Sequence, residues 1–316
     1  MPLFRMIGAV FRARPRLIVF LVVGWLTSLV RAADGVFGSS KDPSSYSNIG
    51  QFFPKHLSFD FAVNFIDSST SGSVTHTMGV LESNVTTVFL DVWDGLLVID
   101  AEFMTEEVEG FGDFAAVAFN ISTPNPSIGN ALAVTLPTGM ENGTEFFLRF
   151  RYMTTVDSSA LSWMTPSQTA GKVLPYMYSL CQMNYCRDFA PMMDTPSMKI
   201  TYDATVTSPK EFVVAMSANE TSVIDFNETH KVTTFNCSIK IPSYLIAIVV
   251  GDLTTRALSD RVYIMSEPAL IDSAVEEFSE LPEAWKFVEE YLHPYIWGNY
   301  TVVVMPPRCV FDEGEP

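Results

Sequence analysis

The sequence predicts a mainly β protein: a sandwich or an open, saddle-like stack of sheets, followed by the start of a second domain of strand–helix–strand type. Three observations predict it. The stretch "HLSFDFAVNFI" alternates, with Leu57, Phe59, Phe61, Val63 and Phe65 on one face and Ser58, Asp60 and Asn64 on the other. A period of two marks a half-buried strand. Many similar segments follow at short spacing, separated by Gly, Pro, Asn and Asp, as in β sandwiches and related stacks. Near Asp252 the character changes to helical spacing followed by one more apolar strand, which places a domain boundary there.

Each element follows from its residues. Residues 1–33 carry Arg5, Arg12, Arg14 and Arg16, then the apolar run Leu17–Val30, then Ala32 and Ala33. This is the basic, apolar, small-residue order of a secretory signal peptide. The run is 14 residues long, short of the roughly 20 that span a bilayer, so cleavage near Ala32 or Ala33 is expected. The alternative is an uncleaved type II membrane anchor, and membrane association is expected only in that case. The expected β domain is 34–251. Within it, "FFLRFRY" sets Phe146, Leu148, Phe150 and Tyr152 against Arg149 and Arg151, and "MKITYDATV" aligns Met198, Ile200, Tyr202, Ala204 and Val206. "VTTVFLDV", "LLVIDAEF", "NALAVTLP" and "EFVVAMSA" are further short strands. Tyr244–Leu253 is apolar on both faces, which predicts a covered central strand. Residues 252–316 form the second region. Ala269–Tyr291 has helical spacing through Val275, Phe278, Leu281, Trp285 and Val288, with Pro282 set to kink or split it. A strand at 300–307 closes the series. So short a second region is expected not to fold independently.

The 316 residues are 48% hydrophobic and 13% aromatic, which excludes global disorder. The formal net charge of −17 argues against a nucleic-acid partner, and loss of residues 1–33 removes five arginines and no acids, giving −22. Four cysteines are too few for a disulfide scaffold. Sequons stand at Asn84, Asn120, Asn142, Asn219, Asn227, Asn236 and Asn299. With a signal peptide, at least three are expected to carry glycan, which makes the product a secreted glycoprotein.

Further stretches go beyond periodicity. Residues 158–219, containing "LPYMYSLCQMNYCRDFAPMMDTPSMKITY", together with "IPSYLIAIVVGDL" and "YIWGNYTVVVMPP" in that order, resemble the zinc aminopeptidase family. The branch is the one containing leukotriene hydrolase and aminopeptidase B. The resemblance covers roughly residues 55–307. It implies an N-terminal saddle of β-sheets followed by a thermolysin-like catalytic domain. It also implies zinc as the full-length family's cofactor and peptides as its substrates, cleaved at their N-terminal residue. In that family the strand ending in "PP" leads to a G-[GA]-M-E-N loop that holds the substrate amine. An H-E-x-x-H helix follows, whose histidines take zinc and whose glutamate activates water. The stretch "RCVFDEGEP" contains no such loop, and His56, His76, His230 and His293 form no H-E-x-x-H. The expectation is therefore a truncated catalytic domain, no catalytic residue, no metal site, no cofactor in this chain, and no catalysis by the chain as given. The alternative is a complete secreted, non-catalytic glycoprotein that acts as a binding or interaction module.

Within the resemblance, Gln182 matches a glutamine that reaches toward the substrate; its bland reading is a loop amide bonded to backbone. Leu180 replaces the neighbouring family glutamine, and Met193 another next to Asp194. Asp194 is expected to be structural, capping a turn. In cytosolic relatives cysteines such as Cys181 and Cys186 stay reduced; in an oxidising compartment they could pair with each other or with Cys237 or Cys309, four cysteines allowing three complete pairings, and metal binding is the remaining alternative. The acidic helix of Glu276, Glu277, Glu280, Glu283, Glu289 and Glu290 reads as a solvated face.

Overall fold

A computed structural model describes residues 42–105 and 113–307. The leader-like segment and Cys309 lie outside the described residues. The chain is mainly β. It begins with β1 (Phe52–Asn64), β2 (Ser69–Val80), β3 (Val85–Val92), β4 (Leu96–Thr105), β5 (Ala115–Ala116) and β6 (Phe119–Ser122). Next come β7 (Asn130–Met140), β8 (Glu145–Thr154), β9 (Leu161–Met164), β10 (Tyr176–Ser179), β11 (Lys199–Pro209) and β12 (Val213–Met216). The series continues through β13 (Asn219–Asp225), β14 (His230–Pro242), β15 (Ile248–Gly251), β16 (Thr254–Ala257) and β17 (Val262–Ser266). Helices α1 (Ile271–Glu277) and α2 (Leu281–Tyr291) precede β18 (Tyr300–Val303).

The described residues fall into two compact units, one from 42–163 with 176–251, the other from 164–175 with 252–307. The first unit holds an eight-stranded sheet in the order β13-β14-β11-β1-β2-β8-β4-β5. A four-stranded sheet, β12-β15-β10-β9, and a three-stranded sheet, β3-β7-β6, accompany it. The alternating residues are what this sheet buries: Leu57, Phe59, Phe61 and Val63 of β1, and Phe146, Leu148, Phe150 and Tyr152 of β8. Strand β1 pairs antiparallel with β2 and parallel with β11. Gly72 permits the first pairing, because a Cβ there would stand 2.0 Å from the Asp60 carbonyl oxygen.

The apolar stretch Tyr244–Leu253 is not one long strand. Ser243–Leu245 forms a 3-10 turn, and only Ile248–Gly251 is strand, central between β12 and β10. The cause is tertiary: the Ser243 hydroxyl bonds a buried carboxylate, described below. The strand expected over 300–307 likewise ends at Val303.

In the second unit, β17 lies between antiparallel β16 and parallel β18. The helical stretch is split in two. Pro282 occupies the first turn of α2, where no intrahelical partner for its missing N–H is needed. Val262, Ile264, Ile271, Ala274, Trp285 and Val302 form this unit's own apolar cluster, with Trp285 stacked on Tyr300 at 4.2 Å between centroids. The buried Glu267 carboxylate accepts from the backbone N–H groups of Ala170 and Gly171 at 2.8 and 3.0 Å, tying 164–175 to β17.

Candidate functional site

The stretch after β10 carries the sequence's one substrate-facing candidate. Cys181 and Cys186 form a disulfide, one of the pairings the sequence leaves open, and Cys237 is buried with a free thiol. Between the bridged cysteines, Gln182 and Met183 are exposed. The Tyr185 N–H donates to the Cys181 carbonyl at 3.0 Å, closing the loop on itself.

Beneath this exposed tip the chain buries charge. Arg187, Asp91, Asp188 and Asp194 are all essentially inaccessible to solvent. The Arg187 guanidinium donates through Nε to Asp194 Oδ2 at 3.2 Å. Through Nη2 it reaches the carbonyls of Asp194 and Ser44 at 2.8 and 2.9 Å. Nη1 donates to the Ile128 carbonyl and stands 3.8 Å from Asp91 Oδ1. Asp91 accepts from the hydroxyls of Ser45 and Ser47 at 2.6 and 2.8 Å, and from the N–H groups of Tyr46 and Asp194 at 2.7 and 3.1 Å. Asp194 Oδ1 accepts from Ser243 at 2.5 Å, and Oδ2 from the Arg187 N–H at 3.1 Å. Burial pushes both carboxyls above the ordinary range, and the Arg187 charge opposes that shift in each. A buried ion pair holds only when such extra bonds satisfy its remaining lone pairs and protons. Asp194 is therefore a structural residue, by ion pairing rather than by capping a turn.

Three further contacts pin the same segment. Asp91 and Met192 exchange backbone hydrogen bonds of 2.8 and 3.3 Å. The fully buried His76 lies 2.9 Å from the Pro191 carbonyl through Nε2. A carbonyl only accepts, so Nε2 carries the proton; burial lowers the His76 pKa to about 4, which keeps the ring neutral. Asp188, whose pKa burial raises to about 6, accepts the Ser159 N–H at 2.5 Å.

The sequence does not single out Arg187, Asp91 or Asp188. A signal was present: "RD" set among Cys, Phe, Ala, Pro and Met in "YCRDFAPMMD", where charge within an apolar run implies a buried partner. The histidines stay apart: His56 bonds Thr201 and Asp203, His76 is buried, His230 begins β14 and His293 lies in the loop after α2. Among the described residues no three His, Cys, Asp or Glu side chains are placed to hold a metal ion. The buried carboxylates of Asp91 and Asp194 are occupied by the Arg187 guanidinium. The described donor set does not fit zinc. All seven sequon asparagines are exposed.

Comparison with known proteins agrees with this fold. Residues 53–245 match the Peptidase M1 N-terminal domain. The chain is 34% identical over 268 residues to leukotriene A-4 hydrolase of Xenopus laevis, covering 84% of this chain and 42% of that protein. It is 33% identical over 274 residues to leucine aminopeptidase 2 of Yarrowia lipolytica, covering 85% and 39%. The solved structure of native leukotriene A4 hydrolase from Saccharomyces cerevisiae superposes with a TM-score of 0.74 at 27% identity, covering 86% of this chain and 40% of that one. An M1 zinc metallopeptidase from Deinococcus radiodurans shares the fold, with a TM-score of 0.64 at 22% identity and coverage of 80% and 56%. The chain thus spans about two fifths of the length of the curated relatives it matches. By its β domain, the chain belongs to the M1 peptidase family.

Proposed function

We propose that this chain contributes the N-terminal β domain, with the start of a catalytic domain, of a secreted zinc aminopeptidase-like protein, and that Gln182 is the group it presents to a peptide. One observation carries the reading: Gln182 is exposed on a disulfide-closed loop whose following residues are fixed by buried Arg187, Asp91 and Asp194. An exposed amide on an anchored loop, with donor and acceptor atoms free among the described residues, suits the polar terminus of a peptide. Hydrolysis and zinc binding are not carried by the residues present. The signal-like segment and seven sequons support a glycosylated, secreted product.

Metal analysis and aminopeptidase assay of the purified chain test this. The expected result is no stoichiometric zinc and no turnover. One zinc per chain, lost on substitution of any of the four histidines, would overturn it. For Gln182, saturation-transfer NMR with short free-amine peptides should detect weak binding that Gln182→Ala removes while the fold is unchanged. Equal binding by the variant removes the role given to Gln182.

A further inference from the structure

The eight-stranded sheet ends in an open edge. Strand β13 pairs with β14 on one side and, among the described residues, has no strand neighbour on the other. All seven of its residues are exposed. It also carries apolar side chains into solvent: Val223 is 48% exposed, Ile224 58%, and Phe226 just beyond it 67%. An exposed, apolar edge strand is a template for pairing with another chain, and natural proteins blunt such edges with charge, proline, a bulge or a cover. Here the charge is confined to Glu220 and Asp225, and a register irregularity lies between Glu220 and Ser222. The run from Ser222 through Ile224 is left uncharged.

The sequons are placed around this edge. Asn219 is its first residue. Asn227 lies two residues past its last. Asn236, on β14, stands directly opposite Asn219 in the register. The amide geometry at Asn227 is also suitable. Its Oδ1 accepts from the Thr229 N–H at 2.8 Å, the Thr229 hydroxyl at 3.0 Å and the His230 N–H at 2.8 Å. Among the described residues its Nδ2 makes no hydrogen bond and is available for a sugar. At Asn142, by contrast, Nδ2 donates to the Leu81 carbonyl at 2.9 Å.

We propose that N-linked glycans at Asn219 and Asn227 bracket β13 and act as the cover that keeps this edge from pairing with a second copy of the chain. Between Asn219 and Asp225 the strand is only about 20 Å long. A bulky, solubilising group at each end leaves an incoming strand no approach in register. Asn219 and Asn236 point from adjacent strands to the same side of the sheet, so the edge has a second attachment point at one end. The proposal rests on the secretory reading above.

The test separates the two. The full chain is expressed with its own leader, and in parallel with a heterologous secretory leader in place of residues 1–33. Glycopeptides are mapped by mass spectrometry, and molar mass is measured by light scattering. Secretion under the foreign leader alone overturns the compartment reading and leaves the edge proposal to be judged on that product. Occupied Asn219 and Asn227 and a single-chain mass are expected. Asn219→Gln and Asn227→Gln together with Asn236→Gln should shift the mass to about two chains or more, whereas Asn84→Gln with Asn142→Gln should not. Adding Val223→Lys and Ile224→Lys to the first set should restore a single-chain mass, which a misfolded product would not do. Wild-type chain bare at both Asn219 and Asn227, an unshifted triple variant, or failure of the lysines to restore the mass would each overturn the proposal.

Discussion

Two sets of ion pairs in the β domain use the same chemistry in opposite settings. On the solvent face of the eight-stranded sheet, Lys55 meets Glu145, Arg149 meets Glu102 at 2.7 Å and Arg151 meets Asp100, with every one of these side chains at least 24% exposed. Under the Gln182 loop, Arg187 meets Asp194 and Asp91 with none of the three accessible. Arg149 and Arg151 stand directly opposite Glu102 and Asp100 on adjacent strands, and Lys55 of β1 reaches Glu145 of β8 past β2; water screens all three pairs, so each contributes little. The buried set has no water to fall back on. Each member is fixed by the others and by backbone and hydroxyl groups from Ser44 to Ser243. The difference shows what burial does to a charge: it turns an optional contact into one the local fold cannot lose.

The largest effect expected from this contrast is at Arg187. Arg187→Met leaves two buried carboxylates without a counter-charge and should cost about 3–5 kcal/mol, read as a drop in the urea midpoint or as loss of soluble protein. Next is His76. Its folded pKa of about 4 lies below the ordinary 6.5, so between these values the unfolded chain binds the extra proton and stability falls as pH is lowered. The expected loss from pH 6.5 to pH 4 is about 3 kcal/mol. His76→Gln should remove that portion when denaturation midpoints are compared across the range. Asp188 acts in the opposite sense. Its folded pKa of about 6 is above the ordinary 3.8, so the stability it contributes is present below pH 3.8 and lost as pH rises through 6. Asp188→Asn should therefore make the wild-type acid sensitivity steeper, and His76→Gln should make it shallower or reverse it. Asp91 and Asp194 remain common to both variants and cancel in the comparison with wild type. The smallest effect is at the surface: Lys55→Gln should change stability by less than about 1 kcal/mol. A cost there equal to that at Arg187 would break the comparison.

The strand faces were legible in the sequence because period-two alternation is a local signal: Leu57 through Val63 and Phe146 through Tyr152 point where their spacing puts them. The family was legible from strings around Gln182 and before Pro307. The anchor was not. Asp91 stands one residue before the end of the run "VTTVFLDV", where a polar residue reads as a strand end, and its partner Arg187 is 96 positions away. Tertiary contact also overrode local pattern at Tyr244–Leu253, where the Ser243 bond to Asp194 turns the chain before the strand begins. Helical spacing around Pro282 gave the helical content, while the break before Leu281 follows from where proline is tolerated.

The central claim is that a buried ionic anchor holds the segment behind Gln182 rigid while the tip stays exposed. Native-state hydrogen exchange at two amides tests it most directly. The Arg187 N–H is bonded to Asp194 Oδ2 and the Asp194 N–H to Asp91 Oδ2, each at 3.1 Å. Both should exchange only with global unfolding, with the same denaturant dependence as the core amides of β1 and β8. Exchange of these two amides by local opening, at rates like those of the exposed edge strand β13, would contradict the account.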